Sequence, residues 1–304
     1  MHLDRDSGIT VIIPAHNEEE TIGEVVGLLR KINKDYEILV IDDGSKDATF
    51  KNAIEYGAKI IRHPYNIGNG AAIKTGIRNA KGDIIVFLDA DLQHRPEDVP
   101  KILNDIGTYD MVVGARGNKS KNHSLRKIGN RVLSAIASYI SGKKILDLTS
   151  GFRAIKKDVA LRFLHILPNG YSYPTTLTLS LLIEGYTVKF VPLDILAMRG
   201  KGKSDLRLFR EGIKFLIIIL RMIVLFNPLK VFIPVGCFLV LYGTASLTHD
   251  VYNVFVYGGE RYGIEQGTIL ALVLGILIVF FGFLADQIAS IRREMSSFLN
   301  KKGS

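Results

Sequence analysis

Residues 84–93 read IIVFLDADLQ, an apolar run that breaks directly into Asp89-Ala90-Asp91-Leu92-Gln93. A short continuous apolar run ending in polar residues reads as a strand buried on both faces of a parallel sheet. Two carboxylates are thereby delivered together to one sheet edge. Carboxylates two residues apart at a strand end can ligate a hard divalent cation through oxygen, and Mg2+ or Mn2+ held this way usually holds phosphates as well. The bland alternative is that both acids close the strand and cap a helix near Pro96. A lone D-x-D does not decide between these readings, so its surroundings must.

Outward from this stretch, Ile9–Ile13, Glu37–Ile41, Lys59–Arg62, Asp83–Leu88 and Asp110–Val113 are short β-rich runs. Helix-like segments over Thr21–Ile32, Asp47–Tyr56, Gly70–Asn79 and Pro96–Ile106 separate them. Such alternation predicts an α/β fold with a mostly parallel, Rossmann-like sheet. Ligands of these sheets bind beyond the carboxyl ends of the strands. Pro14-Ala15-His16-Asn17-Glu18 follows the first strand, Asp42-Asp43-Gly44-Ser45 the second and Asp89-Ala90-Asp91 the fourth. Three acidic clusters are thus expected on one rim. No G-x-G-x-x-G follows the first strand, so a dinucleotide site lacks its phosphate loop. Gly68, Gly70 and Gly76 fit either a backbone approaching a ligand or a tight strand-to-helix turn.

The 304 residues are 47% hydrophobic, yet 23% are charged, and the two kinds are segregated. Residues 1–204 read as a soluble domain, 205–228 as an amphipathic interface region, 229–290 as two transmembrane helices and 291–304 as a basic tail. The two spans, about 231–247 and 268–285, carry no charge and approach the length needed to cross a bilayer. Arg207, Arg210, Lys214 and Arg221 share one helical face, with Leu206, Phe209, Ile213, Leu216 and Leu220 filling the rest. That is the pattern of a helix lying in the membrane interface.

The loop between the spans holds one basic residue, Arg261, whereas the flanks hold Lys230, Arg292, Arg293, Lys301 and Lys302. The positive-inside rule predicts an integral membrane protein whose soluble domain, residues 1–204, and both termini are cytoplasmic. The start, MHLDRDSG, has no apolar core of a cleavable signal. Cys237 is the single cysteine, which excludes a disulfide framework and a cysteine-ligated zinc site. The net charge of +9 concentrates beside the apolar spans, where anionic headgroups account for it without nucleic acid.

Between the fifth strand and a helix expected near Ser124 lie Arg116, Lys119, Lys121, Arg126, Lys127 and Arg131. Such a group suits a phosphate, which guanidinium binds in bidentate fashion. Some of the lysines read equally well as solvated loop charges.

The ordered series PAHNEEETI, VIDDGSKDAT, RHPYNIGNGAAIKTG, DADLQHRPEDV, VVGAR, SGFRAIKK and RGKGKSDLR resembles the family-two inverting glycosyltransferases. Within that family it is most similar to the polyprenyl-phosphate hexosyltransferases of the dolichol-phosphate mannose synthase type. The resemblance covers roughly three quarters of the chain and implies a glycosyltransferase A-type sheet. It implies that Pro14, His16 and Glu18 border the nucleotide pocket, with Asp42 on the base or ribose and Asp43 nearby. His16 stands where the family often has an aromatic residue. By the same resemblance Asp89, Asp91 and Gln93 ligate Mg2+ or Mn2+, the Ala90 backbone faces the donor, and Arg199, Lys201 and Lys203 close over its diphosphate. Arg116, Arg131 and Ser134 would hold the acceptor phosphate. The RGKGKS segment reads alternatively as a juxtamembrane linker meeting anionic lipid.

The reaction so implied is transfer of a hexose from a nucleotide sugar to a polyprenyl phosphate, dolichyl or undecaprenyl, with inversion. A phosphomonoester has its second pKa near 6 and reaches the site already ionised, so no strong general base is required. Positioning and stabilisation of the departing diphosphate suffice. Asp147 and Ser150-Gly151-Phe152-Arg153 also match the family, though Gly151 for close approach and Arg153 in a buried ion pair explain them structurally. Tyr171, Ser172 and Tyr173 are expected on the sugar or lipid side of the cleft by position.

A processive polysaccharide synthase would carry Q-x-x-R-W before many spans, and this chain has no tryptophan. Another lipid or glycan acceptor, and a non-catalytic membrane protein that binds nucleotide sugars, remain alternatives. GDP-mannose, UDP-glucose and UDP-N-acetylglucosamine all fit the motifs, and two short spans are better covered in a homo-oligomer.

Overall fold

The computed structural model describes residues 8–116, 135, 138, 142, 143, 145–170, 172–193, 228–258 and 263–302, with side chains described for all but Arg116 and those after 291. The chain divides into two compact units, Met1–Ile219 and Leu220–Ser304. The boundary falls inside the expected interface region 205–228, which lies almost wholly outside the described residues, as does the RGKGKS segment.

The first unit is built on a seven-stranded sheet, in the order β3-β2-β1-β4-β6-β5-β7. Its strands are β1 (Ile9–Ala15), β2 (Glu37–Asp42), β3 (Lys59–Arg62), β4 (Ile84–Phe87), β5 (Met111–Arg116), β6 (Arg153–Lys156) and β7 (Val188–Leu193). β1, β2, β3 and β4 pair in parallel, β5 pairs in parallel with β7, and β6 runs antiparallel between β4 and β5. The chain winds from β1 out to β3 and returns to the other side of β1 as β4, so the strand order reverses between β1 and β4. Open α/β sheets bind ligands at such a switch point.

The helices are α1 (Ile22–Ile32), α2 (Thr49–Glu55), α3 (Asn69–Asn79), α4 (Val99–Leu103), α5 (Lys157–Phe163) and α6 (Tyr173–Ile183). They cover both sheet faces, as the near-continuous apolar strands require. Val11 and Ile13 of β1 point into one core with Val25, Val26 and Leu29 of α1, while Ile12 points into the other with Ile73 and Ile77 of α3. Each such buried aliphatic side chain contributes about 1.5–3 kcal/mol. At Gly76 a Cβ would lie 2.4 Å from Ile12 Cγ2, so α3 settles onto β1 because that position has no side chain.

The second unit contains α7 (Leu229–Tyr257) and α8 (Gln266–Lys302). Glycines bring them close: a Cβ at Gly236 would meet Val279 Cγ2 at 2.5 Å, and one at Gly275 would meet Val240 Cγ2 at 2.8 Å. Small residues serve this purpose in membrane helix pairs. Apolar side chains face outward within this unit, among them Phe238 at 68% and Leu241 at 70% exposure. Both helices are long and apolar enough to cross a membrane.

These helices outrun the expected spans of about 231–247 and 268–285. α7 continues through Thr248-His249-Asp250 to Tyr257, and α8 continues through the expected basic tail. Within the first extension, Asp250 Oδ2 accepts from Thr268 Oγ1 at 2.8 Å and from the Glu265 backbone N–H at 3.1 Å. The carboxylate thus ties the last part of α7 to the start of α8.

Candidate active site

Parallel pairing places the ends of β1, β2 and β4 on one edge, with Ala15 level with Asp42 and Ile12 level with Phe87. β5 runs parallel to β4 through the intervening antiparallel β6, so Arg116 closes its strand on the same edge. The turn before β6, residues 150–152, reaches that edge too. The expected rim therefore exists, with one addition that alternation alone did not predict.

The first two loops are knitted together. His16 Nδ1 lies 2.9 Å from the Asp43 carbonyl oxygen. The Asn17 N–H donates to Ser45 Oγ at 3.0 Å, and the Glu18 N–H donates to Thr49 Oγ1 at 2.8 Å. Asn17 turns the chain with a positive φ of 56°, a conformation that asparagine tolerates better than most residues. Pro14 is buried inside β1 and Ala90 is buried behind the acidic pair, whereas His16 and Glu18 are half-buried.

Asp42 and Asp43, adjacent in sequence, do different work. Asp42 is fully buried, and its Oδ1 accepts from the Ser45 N–H at 2.9 Å. Its Oδ2 stands 3.1 Å from Arg62 Nε, an ion-pair distance, yet has no hydrogen bond of good geometry among the described residues. Arg62 was not singled out from sequence, although it ends β3 level with Asp42. Asp43 instead meets His63 Nδ1 at 2.7 Å and accepts from the N–H groups of Ile67 at 3.0 Å and Gly68 at 2.7 Å. Burial alone would raise the Asp43 carboxyl, but those bonds outweigh it and hold the group below the usual carboxylate range. Asp43 therefore shapes the turn leading into α3.

That turn is tight. At Gly68 φ is +122° and a Cβ would lie 2.4 Å from the Asn169 carbonyl oxygen; at Gly70 a Cβ would lie 2.1 Å from that of Pro168. The Ala71 N–H donates to Asn169 O at 3.0 Å. These two glycines admit the loop at 168–170, which favours the turn reading.

After β4, Asp89 and Asp91 are half-buried at the rim. Gln93 donates to Asp91 twice, from its backbone N–H to Oδ1 at 3.0 Å and from Nε2 to Oδ2 at 2.6 Å. With Nε2 engaged in this way, Oε1 is the Gln93 atom available to a cation. Burial pushes the Glu18 carboxyl above its usual range; the Thr21 hydroxyl opposes this, while the charges of Asp91 and Asp47 add to it. The loop after β1 and the acidic pair after β4 thus share one negative field.

Asp89 lies against residue 151. A Cβ at Gly151 would stand 2.6 Å from Asp89 Oδ2 and 3.2 Å from its Cγ. Ser150 is fully buried and its hydroxyl donates to the Gly114 carbonyl at 2.6 Å. Arg153 is also fully buried, donating to Pro174 O at 3.0 Å, to Thr178 Oγ1 at 3.1 Å and to Ser150 O. Its charge is solvated mainly by carbonyl and hydroxyl oxygens, where sequence suggested an ion pair. Burial disfavours the charged guanidinium, and Tyr173, Asp147 and Asp89 act the other way. Asp147 folds back to accept from the Thr149 N–H at 2.9 Å.

Tyr173 is 2% exposed and meets Phe87 edge-on at 6.1 Å, so it sits beneath the site instead of lining an open cleft. Arg131, Ser134, Arg199, Lys201, Lys203 and Tyr171 lie outside the described residues, and for Arg116 only the backbone is described.

The donor set suits a hard cation. Among the described residues no three carboxylate, imidazole or thiol groups form a complete metal cage. Mg2+ is commonly held by one or two carboxylates together with substrate phosphates and water, and Asp89, Asp91 and Gln93 Oε1 supply oxygen donors of that kind. A rim built this way can bind a nucleoside diphosphate.

A model described as glycosyl transferase family 2 matches residues 10–163, and one described as the GtrB C-terminal hairpin matches residues 227–291. The chain is 38% identical over 178 residues to a UDP-N-acetylglucosamine–dolichyl-phosphate N-acetylglucosaminyltransferase of Methanococcus voltae, covering 50% of this chain and 70% of that one. It is 33% identical over 216 residues to a dolichol-phosphate mannosyltransferase of Pyrococcus furiosus, covering 66% of this chain and 59% of that one. The chain thus spans little more than half the length of that mannosyltransferase. In fold it resembles Mycobacterium tuberculosis glucosyl-3-phosphoglycerate synthase in complex with Mn2+, UDP-glucose and phosphoglyceric acid, with a TM-score of 0.59 at 22% identity over 71% of this chain and 80% of that one.

Proposed function

The chain belongs to glycosyl transferase family 2, and from that premise we propose that it moves a hexose from a nucleotide diphosphate sugar onto a polyprenyl phosphate at the cytoplasmic face of a membrane. One observation carries the reading: the acidic pair Asp89 and Asp91 shares its sheet edge with the end of β5, where the basic run from Arg116 begins. The shared edge supports a reading in which the leaving diphosphate and the attacking phosphate meet there. The acceptor class is supported by the names of the Methanococcus and Pyrococcus relatives and by the apolar hairpin.

In this reading the nucleotide lies over the loops after β1 and β2, where Asp42 Oδ2 takes a base or ribose donor once Arg62 moves aside. Asp89, Asp91 and Gln93 Oε1 would hold Mg2+ or Mn2+, which would supply stabilisation of the charge that builds on a departing nucleoside diphosphate. Gln93 fixes the orientation of Asp91. Arg116, Arg131 and Ser134 hold the acceptor phosphate, and Arg199, Lys201 and Lys203 screen the donor diphosphate. The acceptor is largely dianionic at neutral pH, so the protein aligns it with the anomeric carbon and needs no strong base to activate it. Displacement in one step inverts that carbon.

The hairpin α7–α8 crosses the bilayer with its short connection on the far side, leaving both termini cytoplasmic. The test is a panel of labelled GDP-mannose, UDP-glucose and UDP-N-acetylglucosamine, each offered with polyprenyl phosphate and Mg2+ or Mn2+. One donor should label the lipid. Failure of every donor, with the folded protein in a bilayer, would overturn the proposal.

A further inference from the structure

We infer that Arg153 is a positioning residue for Asp89, acting through the backbone of residues 150 and 151. The inference rests on the metal site proposed above and goes beyond it. Arg153 occupies the centre of the sheet edge, paired with Phe87 of β4 on one side and with Val113 of β5 on the other. A fully buried guanidinium is costly to desolvate and persists only where acceptors meet it; here both terminal nitrogens are met and Nε is left without a hydrogen-bond partner among the described residues. Pro174 O and Thr178 Oγ1 take one arm and Ser150 O takes the other. A glutamine or lysine could not span these acceptors from a single position.

The arm on Ser150 links the fold to the site. Ser150 is held from two sides, by Arg153 through its carbonyl and by Gly114 O through its hydroxyl at 2.6 Å. The next residue, Gly151, presents its Cα to the Asp89 carboxylate so closely that a Cβ would stand 2.6 Å from Oδ2. The 150–151 backbone is therefore a wall against which one acidic ligand rests, and Arg153 sets where that wall stands. Groups that orient metal ligands in this way usually change metal affinity by about 10- to 100-fold when altered.

The test uses the full chain in lipid nanodiscs, titrated with Mn2+ in the presence of UDP and, separately, GDP, with bound Mn2+ read by electron paramagnetic resonance. Two variants are compared with the parent: Arg153→Lys, which keeps the charge and loses the fork, and Gly151→Ala, which leaves Arg153 intact and pushes on Asp89. Both should bind Mn2+ about tenfold more weakly, with a cooperative thermal transition and an unchanged KM for the acceptor. Should Arg153→Lys fail to fold, Thr178→Val, which removes one acceptor of the Arg153 fork and leaves its charge, decides in its place. Folded variants that bind Mn2+ as tightly as the parent would overturn the inference and leave the metal site standing. Absence of saturable Mn2+ binding by the parent would overturn both.

Discussion

Gln93 Nε2 lies 2.6 Å from Asp91 Oδ2 while the Gln93 backbone N–H donates to Asp91 Oδ1 at 3.0 Å, so one residue orients both oxygens of the second acid. A hydrogen bond to a charged group contributes about 1.5–3 kcal/mol. Gln93→Ala removes the side-chain bond and a candidate oxygen ligand together. It should raise the Mn2+ concentration for half-maximal transfer by about tenfold or more, with the melting temperature little changed. Metal titration of the initial rate measures this.

Asp91→Asn removes the charge and keeps the shape. Transfer and metal dependence should disappear together, because the site loses one of its two anionic oxygen ligands. Near-normal turnover of this variant in saturating Mg2+ or Mn2+ would remove Asp91 from the site.

Asp43 should behave as a structural acid. Its folded-state pKa is depressed, so its stabilisation is present above the ordinary carboxylate range and is lost as pH falls through the folded value. Asp43→Asn should cost about 2 kcal/mol at neutral pH. The gap from the parent should narrow below about pH 4. Urea unfolding at several pH values reads both effects.

Arg131→Ala should weaken use of the lipid acceptor and spare the donor. A rise in KM for polyprenyl phosphate with little change in KM for the nucleotide sugar is the expected signature. An unchanged acceptor dependence would take Arg131 out of the acceptor site.

The parallel strands were legible because their apolar runs leave little choice. Lys59–Arg62 is observed as read, and Glu37–Ile41 extends by a single residue to Asp42. β6 was not read as a strand, since RAIK is four residues long with a cation at each end and gains its strand character from neighbours on both sides. β7 contains Pro192, which demotes a strand in any sequence reading, yet it pairs with β5 on one side only, where proline is tolerated. α6 was missed because YPTTLTLSLLI is rich in threonine and leucine without helical periodicity; it is buried nearly throughout, so no polar face marks it.

At the site, sequence located the acidic rim because carboxylates at successive strand ends are visible one by one. It did not separate Asp42 from Asp43, since their roles depend on which side chains and N–H groups face them. Arg62 was legible only once register was known, and Gly151, read as a point of close approach, gained its partner only from packing. Both reach an acid that lies far away along the chain.

The most direct test of the central claim sets two lipids in competition for one donor. The full chain in nanodiscs would receive a labelled nucleotide sugar, Mn2+, and equal amounts of polyprenyl phosphate and the corresponding polyprenol. The expected result is label on the phosphate lipid alone, dependent on the metal and recovered with the inverted anomeric configuration. Label on the polyprenol at a comparable rate, or transfer that survives removal of the metal, would contradict it.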